Sequence, residues 1–148
     1  MARKESRMKW LNSYNEHTYA ALRVMAGAMF SFHGAQKVLG FMADQQPPVG
    51  SQLWTGGVVE LIGGIMVLLG LKAGWAAFVM SGQMAVAYFQ FHWKFQMGKM
   101  FFPGINHGEL AVLYCFVFLY IASLGSGKFS LDGLLCGKTN GCPKAEAP

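Results

Sequence analysis

The stretch from residue 23 to 40, RVMAGAMFSFHGAQKVLG, is apolar enough to cross a bilayer and yet carries Arg23, His33, Gln36 and Lys37. A charge left uncompensated in hydrocarbon costs roughly 3 kcal/mol on insertion scales, so these side chains must face a helix bundle or a wet cavity. Other helices must supply the answering groups. On a helix advancing about 100° per residue, Arg23, Gly27, Phe30, Gly34 and Lys37 share one face, with His33 beside Lys37. At about 1.5 Å per residue, Arg23 and Lys37 sit about 21 Å apart along the axis, in opposite halves of a membrane. Gly27 and Gly34 leave room for a neighbouring backbone.

The rest of the chain fits that setting. With 53% hydrophobic and only 13% charged residues over 148 positions, an ordinary soluble domain is excluded. Four apolar runs, at about residues 18–39, 54–71, 75–91 and 109–124, have roughly the length that crosses a hydrocarbon core about 30 Å thick. The expected fold is all-α: an integral membrane four-helix bundle, antiparallel and up-down, with a short interfacial helix at the N-terminus. Its parts are a basic head at 1–17, the four-span domain at 18–124 and a polar tail at 125–148.

A net charge of +5 would suggest nucleic acid in a soluble protein, but the basic residues sit where topology signals sit. Arg3, Lys4, Arg7, Lys9, Lys72, Lys128, Lys138 and Lys144 share one side of an even-numbered bundle, against Lys94 and Lys99 on the other. The positive-inside rule then places both termini in the cytoplasm. The bilayer is the expected partner, and nucleic acid is not. The first run contains Arg23 and lacks a small-residue cleavage site, so it reads as a retained span.

Span 2 carries a single acid, Glu60, with Gly56, Gly63 and Gly64 one turn away. These glycines read as packing surface rather than catalytic parts. Span 3 lines up Ala76, Val79, Gln83, Ala87 and Gln90, a face of small residues and amides suited to a bundle interior. Trp54, Trp75 and Trp93 fall at span ends, as in aromatic belts. The segment HWKFQMGKMFFPGINHGE is too aromatic for a plain loop and too charged for a fifth span, which suggests an interfacial or partly re-entrant connection. Asn106 has the position of an N-cap before span 4. Glu109, in that span's first turn, fits either a helix-start acid or a functional group. Span 4 places Glu109, Leu113, Phe116, Tyr120 and Ser123 on one face.

Threading the spans up and down brings His33, Lys37, Glu60, Gln90, His92, Asn106, His107 and Glu109 to the outer end. Arg23 is left in the opposite half, its long stem directed toward headgroups. The expected site is an outward-opening polar pocket with Lys37 and Glu60 as an ion pair and His33 beside them. Glu60, His33 and Glu109 are the candidates for exchanging protons at a bound polar head such as a quinone oxygen. Lys37, Arg23, Gln90, His92 and His107 are the candidates for holding it. The plainer alternative is that intramembrane ions only satisfy one another and fix helix packing. A bis-histidine haem has weak support from histidines at span ends. A Cys136–Cys142 dithiol relay is disfavoured on a reducing side, and no metal site is expected.

Arg23 with FSFHGAQKVLG at 30–40, ELIGG at 60–64, AYFQFH at 87–92, FPGINHGELAVLY at 102–114 and SLD at 130–132 together resemble the DoxX family of small four-helix bacterial membrane proteins. The resemblance covers about residues 20–132 and matches the family pattern at Arg23, His33, Gly34, Lys37, Glu60 and Glu109. It implies an inner-membrane subunit associated with a membrane oxidoreductase, near quinone or sulfur redox chemistry, and other membrane-protein subunits as partners. Two other classes of function stand beside it: a non-catalytic accessory subunit of a larger respiratory or photosynthetic complex, and a small-solute or proton carrier.

Overall fold

The computed structural model describes residues 13–136, so most of the expected interfacial head and the end of the tail, including Cys142, lie outside the described residues. The fold is all-α, with no strand among those residues. Four long helices make its body: α1 (Asn15–Leu39), α2 (Gln52–Leu69), α3 (Ala73–Ala87) and α5 (Glu109–Leu124). Tyr88–Trp93 continues α3 as a π-helix, Lys99–Phe101 is a 3-10 turn, and α4 (Pro103–Asn106) and α6 (Leu131–Cys136) are short. Helix α1 starts a turn before the expected span, so residues 15–17 of the head belong to it.

Local chemistry sets the boundaries. Helices α1 and α2 end on Gly40 and Gly70, at φ 67° and 70°, a left-handed cap that glycine adopts without steric cost. Pro47 and Pro48 keep the intervening loop open, and Ser51 caps α2 by accepting from the Trp54 amide at 3.2 Å. The expected N-cap role of Asn106 is not what the structure shows. Asn106 closes α4, its Oδ1 accepts from Gly108 N at 2.8 Å, and Gly108 precedes α5. Its Nδ2 donates to the Met100 carbonyl at 2.8 Å, so the side chain ties the 94–108 connection together.

Helices α1 and α2 cross with their backbones almost touching. A Cβ on Gly27 would lie 2.8 Å from the Gly64 carbonyl oxygen, and one on Gly34 would lie 2.7 Å from that of Gly57. Partner numbers fall along α2 as they rise along α1, so the pair is antiparallel. Helices α3 and α5 form the second pair: Ser81 Oγ donates to the Cys115 carbonyl at 2.8 Å, and Gly74 faces Ala122 and Gly125. The core joins the pairs through Ala26, Phe30, Val67, Ala77, Met80, Phe118 and Ile121.

Two expected faces are turned. The buried side of α5 is Ala111, Phe118 and Ile121, whereas Leu113, Phe116 and Tyr120 point outward. On α3 the buried seam is Ala73, Ala76, Ala77, Met80 and Met84, while Val79 and Gln90 are exposed. Large apolar side chains cover much of the exterior: Met25, Ile62, Trp75, Phe78 and Phe116 are each more than half exposed. So broad an apolar exterior has its natural surroundings in lipid, where helices keep their backbone polar groups internally paired. Among the described residues one helix, Gln52–Leu69, is both long and apolar enough to cross a membrane by itself, with mean hydropathy 1.6.

Candidate functional site

Where α1 and α2 run toward the Gly40–Ser51 loop, the two helix pairs enclose a cavity of about 800 Å3. Its polar end is built by helix register. Gly57 has no side chain to obstruct the stem of Lys37, whose Cβ would lie 2.6 Å from an added methyl there. The lysine therefore passes across α2 and donates to Glu60 Oε1 at 2.6 Å and Oε2 at 2.8 Å. Glu60 is buried at 3% exposure, whereas the lysine side chain keeps 34%. Gln83 of α3 donates its Nε2 to Glu60 Oε1 at 3.1 Å and to the Gly56 carbonyl at 3.0 Å. Both partners are acceptors, which fixes which way the amide points. One carboxylate is thus held by groups from two other helices, so its charge is compensated where it is buried.

The histidines divide. His33 lines the cavity from an exposed position on α1, with Nδ1 at 3.3 Å from Gln36 Oε1. His92 also lines it, carried there by the π-helical end of α3, with Nδ1 at 3.3 Å from the Asn106 carbonyl. His107 is exposed at φ 57° in the turn between α4 and α5, outside the cavity. Glu109 is likewise exposed, stands beside Gly104 and does not line the cavity, although its neighbours Leu110 and Ala111 do. Gln90 is exposed and bonded to Gln52, so it bridges the π-helical end of α3 and the start of α2. Of the sequence candidates, the structure brings Lys37, Glu60, His33 and His92 to one cavity and leaves His107, Glu109 and Gln90 around it.

Arg23 is elsewhere, and its expected reach toward headgroups is corrected. It is fully buried, donating Nη1 to the Ser126 carbonyl and Nη2 to that of Phe129 at 2.7 Å. Nearby, Asp132 Oδ2 accepts from Lys72 N at 2.7 Å and from Ser126 Oγ at 2.5 Å. Tyr19 donates to the Gly125 carbonyl. The physical reason is the helix rise that separates Arg23 from Lys37: carbonyls of the loop after α5 come within its reach, and the cavity does not. This polar knot ties α1, the α2–α3 turn and the chain after α5 into one end, and it accounts for the SLD run.

Gln83 was absent from the sequence candidates. The available signal was an amide within an apolar helix at the depth of Glu60, which needs a partner there. Phe30, Phe91 and Tyr114 of the cavity wall gave no comparable signal, since aromatic residues are spread over every helix.

An all-α protein whose helices show lipid-compatible exteriors and close around a buried carboxylate, an ammonium and an amide defines a class: helical membrane proteins with an internal polar site. Residues 18–93 match the DoxX family model, and the chain belongs to that family of membrane proteins. It is 41% identical over 129 residues to an uncharacterized protein of Haemophilus influenzae, an alignment spanning 84% of this chain and 96% of that one. No solved structure matches it. The family match takes in α1 to α3 and the π-helix, hence Arg23, His33, Lys37, Glu60, Gln83 and His92.

Proposed function

We propose that this protein is a multi-pass inner-membrane subunit, its four long helices spanning the bilayer with both termini in the cytoplasm, and that its cavity holds a quinone-like head for a membrane oxidoreductase with which it associates. The observation that carries this reading is the cavity itself. Its volume of about 800 Å3 falls within the roughly 300–1,000 Å3 common for small-ligand sites, and its walls are mostly apolar with a few convergent polar groups. Charge placement supports the orientation: Lys94 and Lys99 lie at the cavity end, and Lys72 and Lys128 at the other.

The residues fit such a head. Lys37 has three N–H donors and gives two to Glu60, leaving one for a carbonyl oxygen. Glu60, held by Lys37 and Gln83, is the group placed to exchange a proton with that oxygen. His33, exposed at the rim, connects the buried pair with the outside. A quinone supplies a couple of two electrons and two protons when bound; the electrons are assigned to the associated oxidoreductase.

The test is titration of the protein in nanodiscs with a bare methoxy-substituted benzoquinone, followed by quenching of tryptophan emission. Saturable quenching is expected, weakened at least tenfold in Lys37→Met. A wild-type protein that shows no saturable quenching and releases no quinone on solvent extraction overturns the reading. Association is tested separately, by co-migration with an oxidoreductase after mild solubilisation.

A further inference from the structure

Resting on the reading that the cavity takes a small polar head, we infer that the occupant is amphipathic and enters sideways from the bilayer, its apolar chain lying in a slot on the flank between α2 and α3. Three observations combine. The carboxylate is buried, with Glu60 at 3% exposure. Several apolar wall residues are accessible and not packed away: Leu53 is 48% exposed, Val86 47% and Val79 55%, and all three line the same cavity as Glu60. Their depth is the third. Val79 lies fourteen positions before Trp93, which closes the π-helical end of α3, or about 20 Å by helix rise. An opening at that depth is in the flank of the bundle, facing acyl chains, and not only at its outer end.

Sequence position shows why the slot exists. Helices α2 and α3 touch where Gly63 meets Met80 and are bridged further out by Gln83 to Gly56 and by Gln52 to Gln90. Around those bridges Val59 and Thr55 on α2 and Val79 and Val86 on α3 line open space. A rim of valine and leucine gives a water-soluble solute little to hydrogen-bond on its way in, whereas it suits a hydrocarbon chain, each buried methylene of which contributes about 0.8 kcal/mol. The remaining N–H of Lys37 is available to an acceptor oxygen on the head, which matches an oxygen-headed lipid with a flexible apolar tail.

The experiment compares a bare methoxy-substituted benzoquinone with the same ring carrying a decyl chain, both titrated into nanodiscs holding wild type, Val79→Trp, Val86→Trp or Phe78→Trp. Phe78 is 59% exposed and does not line the cavity, so its variant controls for bulk on the surface and for partitioning into lipid. In wild type and Phe78→Trp the chain is expected to tighten binding at least tenfold. In Val79→Trp or Val86→Trp that gain, read as the ratio of the two ligands' affinities in the same variant, should fall below threefold. If the bare ring binds wild type but the chain adds nothing, or if the valine variants keep the full gain, sideways entry is overturned and the quinone-head reading survives. If neither ligand binds wild type, both fall together.

Discussion

At the residue scale, Lys37 and Glu60 decide what the cavity end of the molecule can be. A buried pair is expensive to break and cheap to replace as a unit, because removing one partner strands the other while removing both strands neither. Glu60→Gln should therefore lower stability by about 1–3 kcal/mol, softened by the partial exposure of Lys37. The double variant Lys37→Met with Glu60→Leu should melt within a few degrees of wild type in detergent and yet bind no benzoquinone. A double variant that fails to fold would assign the pair to architecture. Arg23 presents the opposite case, since the groups it satisfies are loop carbonyls. Arg23→Ala should cost about 3 kcal/mol and speed proteolysis after Leu124, leaving bare-ring binding per folded molecule unchanged. Arg23→Lys should rescue little, because one ammonium cannot reproduce the planar fork that reaches both Ser126 and Phe129.

At the element scale, glycine has two different meanings in these helices. Gly34→Leu forces a side chain into the α2 backbone, where even a Cβ would lie 2.6 Å from the Leu61 Cα, and should cost about 3 kcal/mol or prevent folding. Gly82 has open space around its Cβ position within α3, so Gly82→Ala should raise stability by about 0.5–1 kcal/mol in the same thermal melts. The helices themselves were legible as apolar runs, and the Lys37–Glu60 pairing followed from helix rise and alternating direction. Rotation about each axis was not legible for α3 and α5. A helix that is apolar all round has no polar stripe to mark its outside, so the Leu113–Phe116–Tyr120 face could not be told from the Ala111–Phe118–Ile121 face. The positions of Glu109 and His107 depend on the 94–108 connection, whose path is fixed by Asn106 and by Tyr88 donating to the Phe101 carbonyl. No local pattern encodes that path.

At the scale of the whole molecule, orientation follows from which charges accompany which end. Single cysteines placed at Lys99 and at Ser13 in a variant lacking the native thiols should react with a membrane-impermeant maleimide from opposite sides of sealed vesicles, with Lys99→Cys labelled from outside the cytoplasm. Labelling of both from one side would refute three crossings between them, and with it the alternating threading of the four helices. The two tight helix pairs are joined unequally. At one end Arg23, Tyr19 and Asp132 knit α1, the α2–α3 turn and the chain after α5; at the other, Gln52, Gln83 and Gln90 span the space between α2 and α3 by amides alone. A body made this way behaves like a clothes peg, with its spring beside Arg23 and its jaws around Glu60. Any widening that admits or releases a guest must rock one pair against the other about that spring, so loosening the far end should change how fast the jaws let go.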